Sequence, residues 1–145
     1  MKHALPMELD PFREAEKGQH FEGVFTRAQM QRLMGMHLCD TAQETDDKIT
    51  VILDFGISIE GYKSVQCDIV ASLTRKCQRC LECFVEKTQL QSHIAFVRSE
   101  REVDEIPENL EPYVVADNLM RLSEFVEDEL ILALPVIPMH EEMCV

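Results

Sequence analysis

Ile49-Thr50-Val51-Ile52-Leu53-Asp54-Phe55-Gly56-Ile57-Ser58-Ile59 sets Ile49, Val51, Leu53, Phe55, Ile57 and Ile59 on one phase of a two-residue period. Successive strand side chains point to opposite faces, so this spacing predicts a strand with one buried face. Glu60-Gly61 then offers a turn, and Val65, Cys67, Ile69, Ala71 and Leu73 resume the alternation in a second strand. A third strand starts near Phe84 and runs through Leu90, Ile94 and Phe96. Three such strands in succession make an antiparallel meander buried on one side. Cys67 falls on the apolar phase of the second strand and reads as a small buried hydrophobe.

Toward the start of the chain, residues 4–25 read as irregular or short extended segments. Pro6 and Pro11 rule out a long helix, while Phe21, Val24 and Phe25 suit a sheet edge. Thr26-Arg27-Ala28-Gln29 has the form of a helix capping box. Met30, Leu33, Met34 and His37 follow on one helical face that ends near Leu38, where His37 reads as a packed or satisfied histidine in preference to a ligand. Asp40 to Asp47 is a polar loop.

Toward the other end, a charged, Pro-interrupted loop at 99–112 holds Glu100, Glu102, Asp104, Glu105, Glu108 and Glu111. It is either a solvated loop or a docking strip for a basic partner. A helix at 118–134 follows, its apolar face built from Leu122, Phe125, Val126, Leu130 and Ala133, and Pro135 ends it. Glu124, Glu127 and Asp128 occupy the other face, but Glu129 lies on the apolar side. That acid implies either a hydrogen-bonded, partly buried carboxylate or a contact with another chain, which leaves a dimer open. The expected fold class is α+β: an antiparallel β-meander, or a small β-sheet or barrel, packed with two helices in one domain over 1–145.

The net charge of −13 is unevenly placed. Residues 1–50 contribute −3, residues 51–98 contribute +1 and residues 99–145 contribute −11. A surface of that sign repels phosphate and attracts basic partners, which argues against unaided RNA binding. No apolar run is long enough to span a bilayer. Met1 to Asp10 has acids where a secretory leader needs an apolar core, so a cytoplasmic location is expected.

Six cysteines (39, 67, 77, 80, 83 and 144) are many for a reducing compartment, where clustered thiols bind metal or do redox chemistry. Cys77-Gln78-Arg79-Cys80 falls on the connection between the second and third strands, where both sulfurs can face one tetrahedral ion. One such pair is half a zinc site. His140 and Cys144 have the spacing of the other half, and Cys83 competes as a ligand. Three readings stay open: one structural Zn, packed thiols, or a redox pair. Arg75, Lys76 and Arg79 surround the pair, where cations lower a thiol pKa or meet a phosphate. No Gly-rich phosphate loop, His-Glu-x-x-His or Gly-x-Ser-x-Gly occurs, so neither an enzyme nor a small-molecule substrate is expected.

Three stretches carry a family resemblance. Leu5-Pro6-Met7-Glu8-Leu9-Asp10-Pro11 with Arg13 and Ala15, then the Gly23 region, resemble the opening of the YceD family, the large ribosomal RNA subunit accumulation proteins. Cys77-Gln78-Arg79-Cys80-Leu81-Glu82 follows in the same order, and so does the run Val126 to His140. The resemblance implies a bacterial, cytoplasmic, non-enzymatic factor that supports accumulation of 23S rRNA. Cys83 is extra to the family's usual pair, the late His-x-x-x-Cys is tighter than its usual form, and relatives continue past Val145 into a polar tail. Joined to the charge map, the resemblance suggests action through a basic ribosomal or ribosome-assembly protein, with rRNA reached indirectly. Glu102, Asp104, Glu105, Glu124, Glu127, Asp128 and Glu129 are the expected docking residues.

Overall fold

A computed structural model describes residues 2–3, 5–26, 29–30, 32 and 47–134. Along the chain the elements are β1 (Lys2–His3), β2 (Glu8–Leu9), α1 (Pro11–Lys17), β3 (His20–Thr26), β4 (Lys48–Ile57), β5 (Lys63–Lys76), β6 (Cys83–Val97), α2 (Glu100–Val103), β7 (Glu111–Val114), β8 (Met120–Arg121) and α3 (Leu122–Ala133).

The period-two stretches form the middle of an α+β fold. Strands β3, β4, β5 and β6 pair antiparallel in chain order, and β1 and β7 extend the sheet in parallel at its two sides. Among the described residues no ladder joins β1 to β7, so the sheet is open and not a barrel. A separate ladder pairs β2 with β8, with Glu8 opposite Arg121 and Leu9 opposite Met120.

Ile49, Val51, Leu53 and Phe55 are buried, as are Val65, Cys67, Ile69, Ala71 and Leu73. Alternation in β4 stops short of its expected end: Ile57 is half exposed and Ile59 is fully so. There the chain has already entered the turn, closed by the Ser58 N–H to the Tyr62 carbonyl and the Tyr62 N–H to Ser58 Oγ, with Gly61 at φ 95°. Only Gly readily takes that backbone angle.

The early segment is more ordered than its prolines suggested. Pro11 starts α1 at a position whose N–H has no helical partner, and the Asp10 carboxylate accepts from the Phe12 and Arg13 N–H groups. Gly18, at φ 66°, ends the helix. Strand β3 lies one position inside the sheet edge, between β1 and β4. A Cβ on Gly23 would come within 2.5 Å of the Leu5 side chain, so the close approach of Leu5 requires glycine. One of the two bonds of a capping box is present at Thr26, its N–H donating to Gln29 Oε1 at 2.9 Å. The rest of the expected helix to Leu38, including His37, and most of the 40–47 loop lie outside the described residues.

Helix α3 covers the sheet with Leu122, Phe125, Val126 and Leu130. Phe96 of β6 is the aromatic hub, with ring centres 6.1 Å from Phe55, 6.2 Å from Phe125 and 6.4 Å from both Phe12 and Tyr113. Burying side chains of this size contributes about 1.5–3 kcal/mol each, which is what fixes α3 on the sheet. The segment expected to be only a loop contains α2 and, in β7, a strand parallel to residues Ile94–Val97.

Candidate functional site

Strands β5 and β6 run on beyond the end of β4, whose Lys48 stands opposite Ser72, so the far part of their hairpin extends past the sheet. At its tip the Cys77 N–H donates to the Glu82 carbonyl and the Leu81 N–H to the Cys77 carbonyl, each at 2.8 Å. Leu81 takes a positive φ of 66°, which side-chain-bearing residues adopt rarely. Cys77 is buried, Cys80 is partly exposed, and both are thiols. His140 and Cys144, the expected second half of the zinc set, lie outside the described residues. Among the described residues no group of three or more His, Cys, Asp or Glu has the geometry to hold a metal. Cys83, the competing ligand, is disulfide-bonded, and a disulfide sulfur is not the thiolate zinc takes.

The three cations of the hairpin do not form one surface. Arg75 is fully buried and its Nη1 donates to Glu86 Oε1 at 2.7 Å, whereas Lys76 and Arg79 are exposed. A phosphate approaching the tip would meet Lys76 and Arg79 only. Cys67 sits far from this chemistry in the core, and burial, ahead of the Glu129 charge, pushes its thiol up to about 12. It is inert at neutral pH.

Acids of the last third divide into two sets. Around α2, Glu100, Asp104, Glu105, Glu108 and Glu111 are exposed. Glu102 is partly exposed and accepts from the Arg98 N–H at 2.6 Å, which stabilises the turn into α2. On α3, only Glu124 is exposed, with Arg121 at 3.6 Å.

In the run Glu127-Asp128-Glu129 the two glutamates are buried and Asp128 is partly exposed. Glu127 Oε2 accepts from the Arg32 backbone N–H at 2.7 Å and its Oε1 from Arg32 Nε at 3.0 Å. Asp128 Oδ1 pairs with Arg32 Nη1 at 2.6 Å, and its Oδ2 accepts from the Tyr113 hydroxyl at 2.7 Å. Burial, reinforced by Asp128, keeps that hydroxyl protonated. Glu129 Oε1 accepts from Ser92 Oγ at 3.1 Å. Burial and then the Glu111 charge raise its carboxyl above the usual range, against the opposing Ser92 bond. The hydrogen-bonded, buried carboxylate expected at Glu129 is present.

Arg32, Tyr113 and Ser92 were not singled out in the sequence. Arg32 is one cation among many, and its partner Glu127 lies 95 residues away, beyond any local pattern. Ser92 did leave a trace: it shares the phase of Leu90, Ile94 and Phe96 and stands opposite Cys67, a polar residue on an apolar face. On the outer side of the sheet, His20 pairs with Asp54 and lies 3.4 Å from Glu22. The Asp54 hydrogen bond in particular raises the imidazole pKa.

Comparison with known proteins converges on one family. The family described as "Large ribosomal RNA subunit accumulation protein YceD" matches residues 65–145, which span the β5–β6 hairpin, α2 and α3. The chain is also 27% identical over 140 residues to the Haemophilus influenzae protein named "Large ribosomal RNA subunit accumulation protein YceD", covering 96% of this chain and 78% of that one. No solved structure matches. Among the described residues no helix is long and apolar enough to cross a membrane.

Proposed function

The chain belongs to the YceD family, and from that premise we propose that it is a cytoplasmic, non-enzymatic factor supporting accumulation of large-subunit ribosomal RNA. The family match over residues 65–145 carries this reading. Contact with rRNA runs through a basic ribosomal or ribosome-assembly protein, because a chain of −13 lacks the surplus cations that neutralise phosphate. The docking surface includes the α2 region, with Glu102, Asp104 and Glu105, whereas Glu127 and Asp128 are engaged by Arg32 and Tyr113. Deleting the gene should lower large-subunit rRNA relative to small-subunit rRNA, and the intact chain should restore it. An unchanged ratio would overturn the role. Capture on the purified chain at low salt should recover a basic large-subunit or assembly protein and lose it as salt rises. Failure to recover one removes the docking mechanism.

A redox reading of the hairpin tip has one observation behind it: disulfide-bonded Cys83 three residues from the Cys80 thiol. Disulfides are uncommon in a reducing cytoplasm, so one there is a candidate for regulation. Capture that is identical with and without reductant would dismiss it.

A further inference from the structure

The acids engaged inside the fold are not all equally satisfied. Both carboxylates preceding Glu129 have each oxygen bonded, to Arg32 or to Tyr113. Glu129 is 6% exposed, receives the Ser92 hydroxyl on one oxygen, and has no cation bonded to it among the described residues. It does not face a closed core. It lines a cleft of about 360 Å³ between β7 and α3, whose apolar walls include Ile94, Pro112 and Leu132. Glu111, exposed, stands at the same cleft, and its charge adds to the cost of ionising Glu129. Leu132 is 80% exposed, an uncovered leucine beside the opening.

A buried carboxylate is costly unless it is paired with a cation and hydrogen-bonded. Here one oxygen has a neutral donor, the charges of Glu111 and Asp128 oppose ionisation, and Arg32, which also lines the cleft, is bonded to Glu127 and Asp128. The site has what a long basic side chain needs: apolar walls for its methylenes and two carboxylates for its head. We propose that this cleft receives an arginine or lysine side chain of the basic partner protein, its cation between Glu111 and Glu129 and its stem against Pro112 and Leu132. The inference rests on the docking of a basic protein proposed above and places one anchor of that docking at a defined pocket. Charge complementarity selects the occupant, since the chain itself carries 27 acidic side chains against 14 lysines and arginines.

The probe is the peptide acetyl-Ala-Leu-Arg-Leu-Ala-amide, titrated into the full chain by NMR, beside the same peptide with citrulline for arginine. Citrulline keeps the shape and removes the charge. The arginine peptide should shift the amide signals of Glu111, Glu129 and Leu132, with the citrulline peptide weaker by at least about tenfold. The Glu111→Gln/Glu129→Gln variant should bind the two peptides alike. Glu111→Gln alone, at an exposed position, should lose part of the difference without touching the fold. Equal binding of both peptides to the wild-type chain, shifts confined to α2, or no shifts at millimolar peptide would each overturn the proposal. Capture of the basic partner separates the two levels of the reading. If the double variant captures it as well as wild type does, the cleft is wrong and docking elsewhere stands. If wild type captures none, docking fails, and the titration alone still decides the cleft.

Discussion

Helix α2 with its flanks and helix α3 each carry a dense set of carboxylates, yet the two sets meet different surroundings. Around α2 the acids sit on, or follow, a short helix of four residues that buries nothing, so most face solvent. On α3 the packing of Phe125, Val126 and Leu130 against the sheet turns Glu127 and Glu129 inward with them. Arg32, Tyr113 and Ser92 then supply the hydrogen bonds that burial demands. Charge of the same sign in the sequence thus becomes surface potential in one region and internal structure in the other.

Stability measurements can break that contrast. Glu127→Ala has the largest expected effect, because it removes both bonds to Arg32 and leaves a backbone N–H without its acceptor. A loss of about 2–3 kcal/mol in urea denaturation is expected. A loss no larger than that of an α2 variant would place Glu127 with the solvent-facing acids after all.

Glu129 sharpens the contrast through pH. Its folded pKa lies above the ordinary carboxyl value, so the folded chain holds a proton that the unfolded chain releases. That contribution is complete below the ordinary value and is lost as pH rises through the folded pKa. The groups around it are Ser92 on β6, Glu111 and Tyr113 on β7, Asp128 on α3, the protonated Cys67 thiol on β5, and Arg32 across the cleft. Glu129→Gln should flatten the stability profile over that window and leave neutral-pH stability equal or higher. A steeper profile in the variant would mean that the carboxylate is held by a cation.

The smallest effect on stability belongs to α2. The triple variant Glu102→Gln, Asp104→Asn, Glu105→Gln should stay within about 0.5 kcal/mol of wild type, since exposed substitutions rarely do more. Its salt-dependent association with the basic partner should slow, measured as the on-rate at several ionic strengths. Unchanged on-rates would take the docking surface away from α2.

How much of this was legible beforehand follows from the range of each interaction. Residues 49–55 and 65–73 announce themselves because one buried face imposes a two-residue period on neighbours in sequence. Helix α3 shows in the same way at its own period. Helix α1 does not, since two turns give no periodicity to count, although Asp10-Pro11 and Gly18 are its start and stop signals. Strand β7 is hidden because Glu111 and Pro112 look like loop residues, and only its docking beside Ile94–Val97 makes it a strand. For the site, the placement of Cys77 and Cys80 at a hairpin tip was legible, while the burial of Arg75 on Glu86 was not. The inward turn of Glu129 was marked by its helical phase. Those of Glu127 and Asp128 depend on Arg32, which no local pattern connects to them.

The small β2–β8 ladder has a consequence for how the chain reaches this structure. Its two residue pairs join position 8 to position 121. Entropy of loop closure grows only logarithmically with length, about 0.6 kcal/mol per doubling, so so wide a closure is thermodynamically mild. Kinetically it is different, because contacts distant in sequence form after local ones have shortened the path between them. The β4–β5–β6 hairpins are near neighbours and can zip unaided, whereas β8 leads directly into α3 and is held by a strand from the opposite end of the chain. On a ribosome, the meander can therefore take shape while α3 is still being made, and the Glu111–Glu129 cleft comes into being only with the final closure.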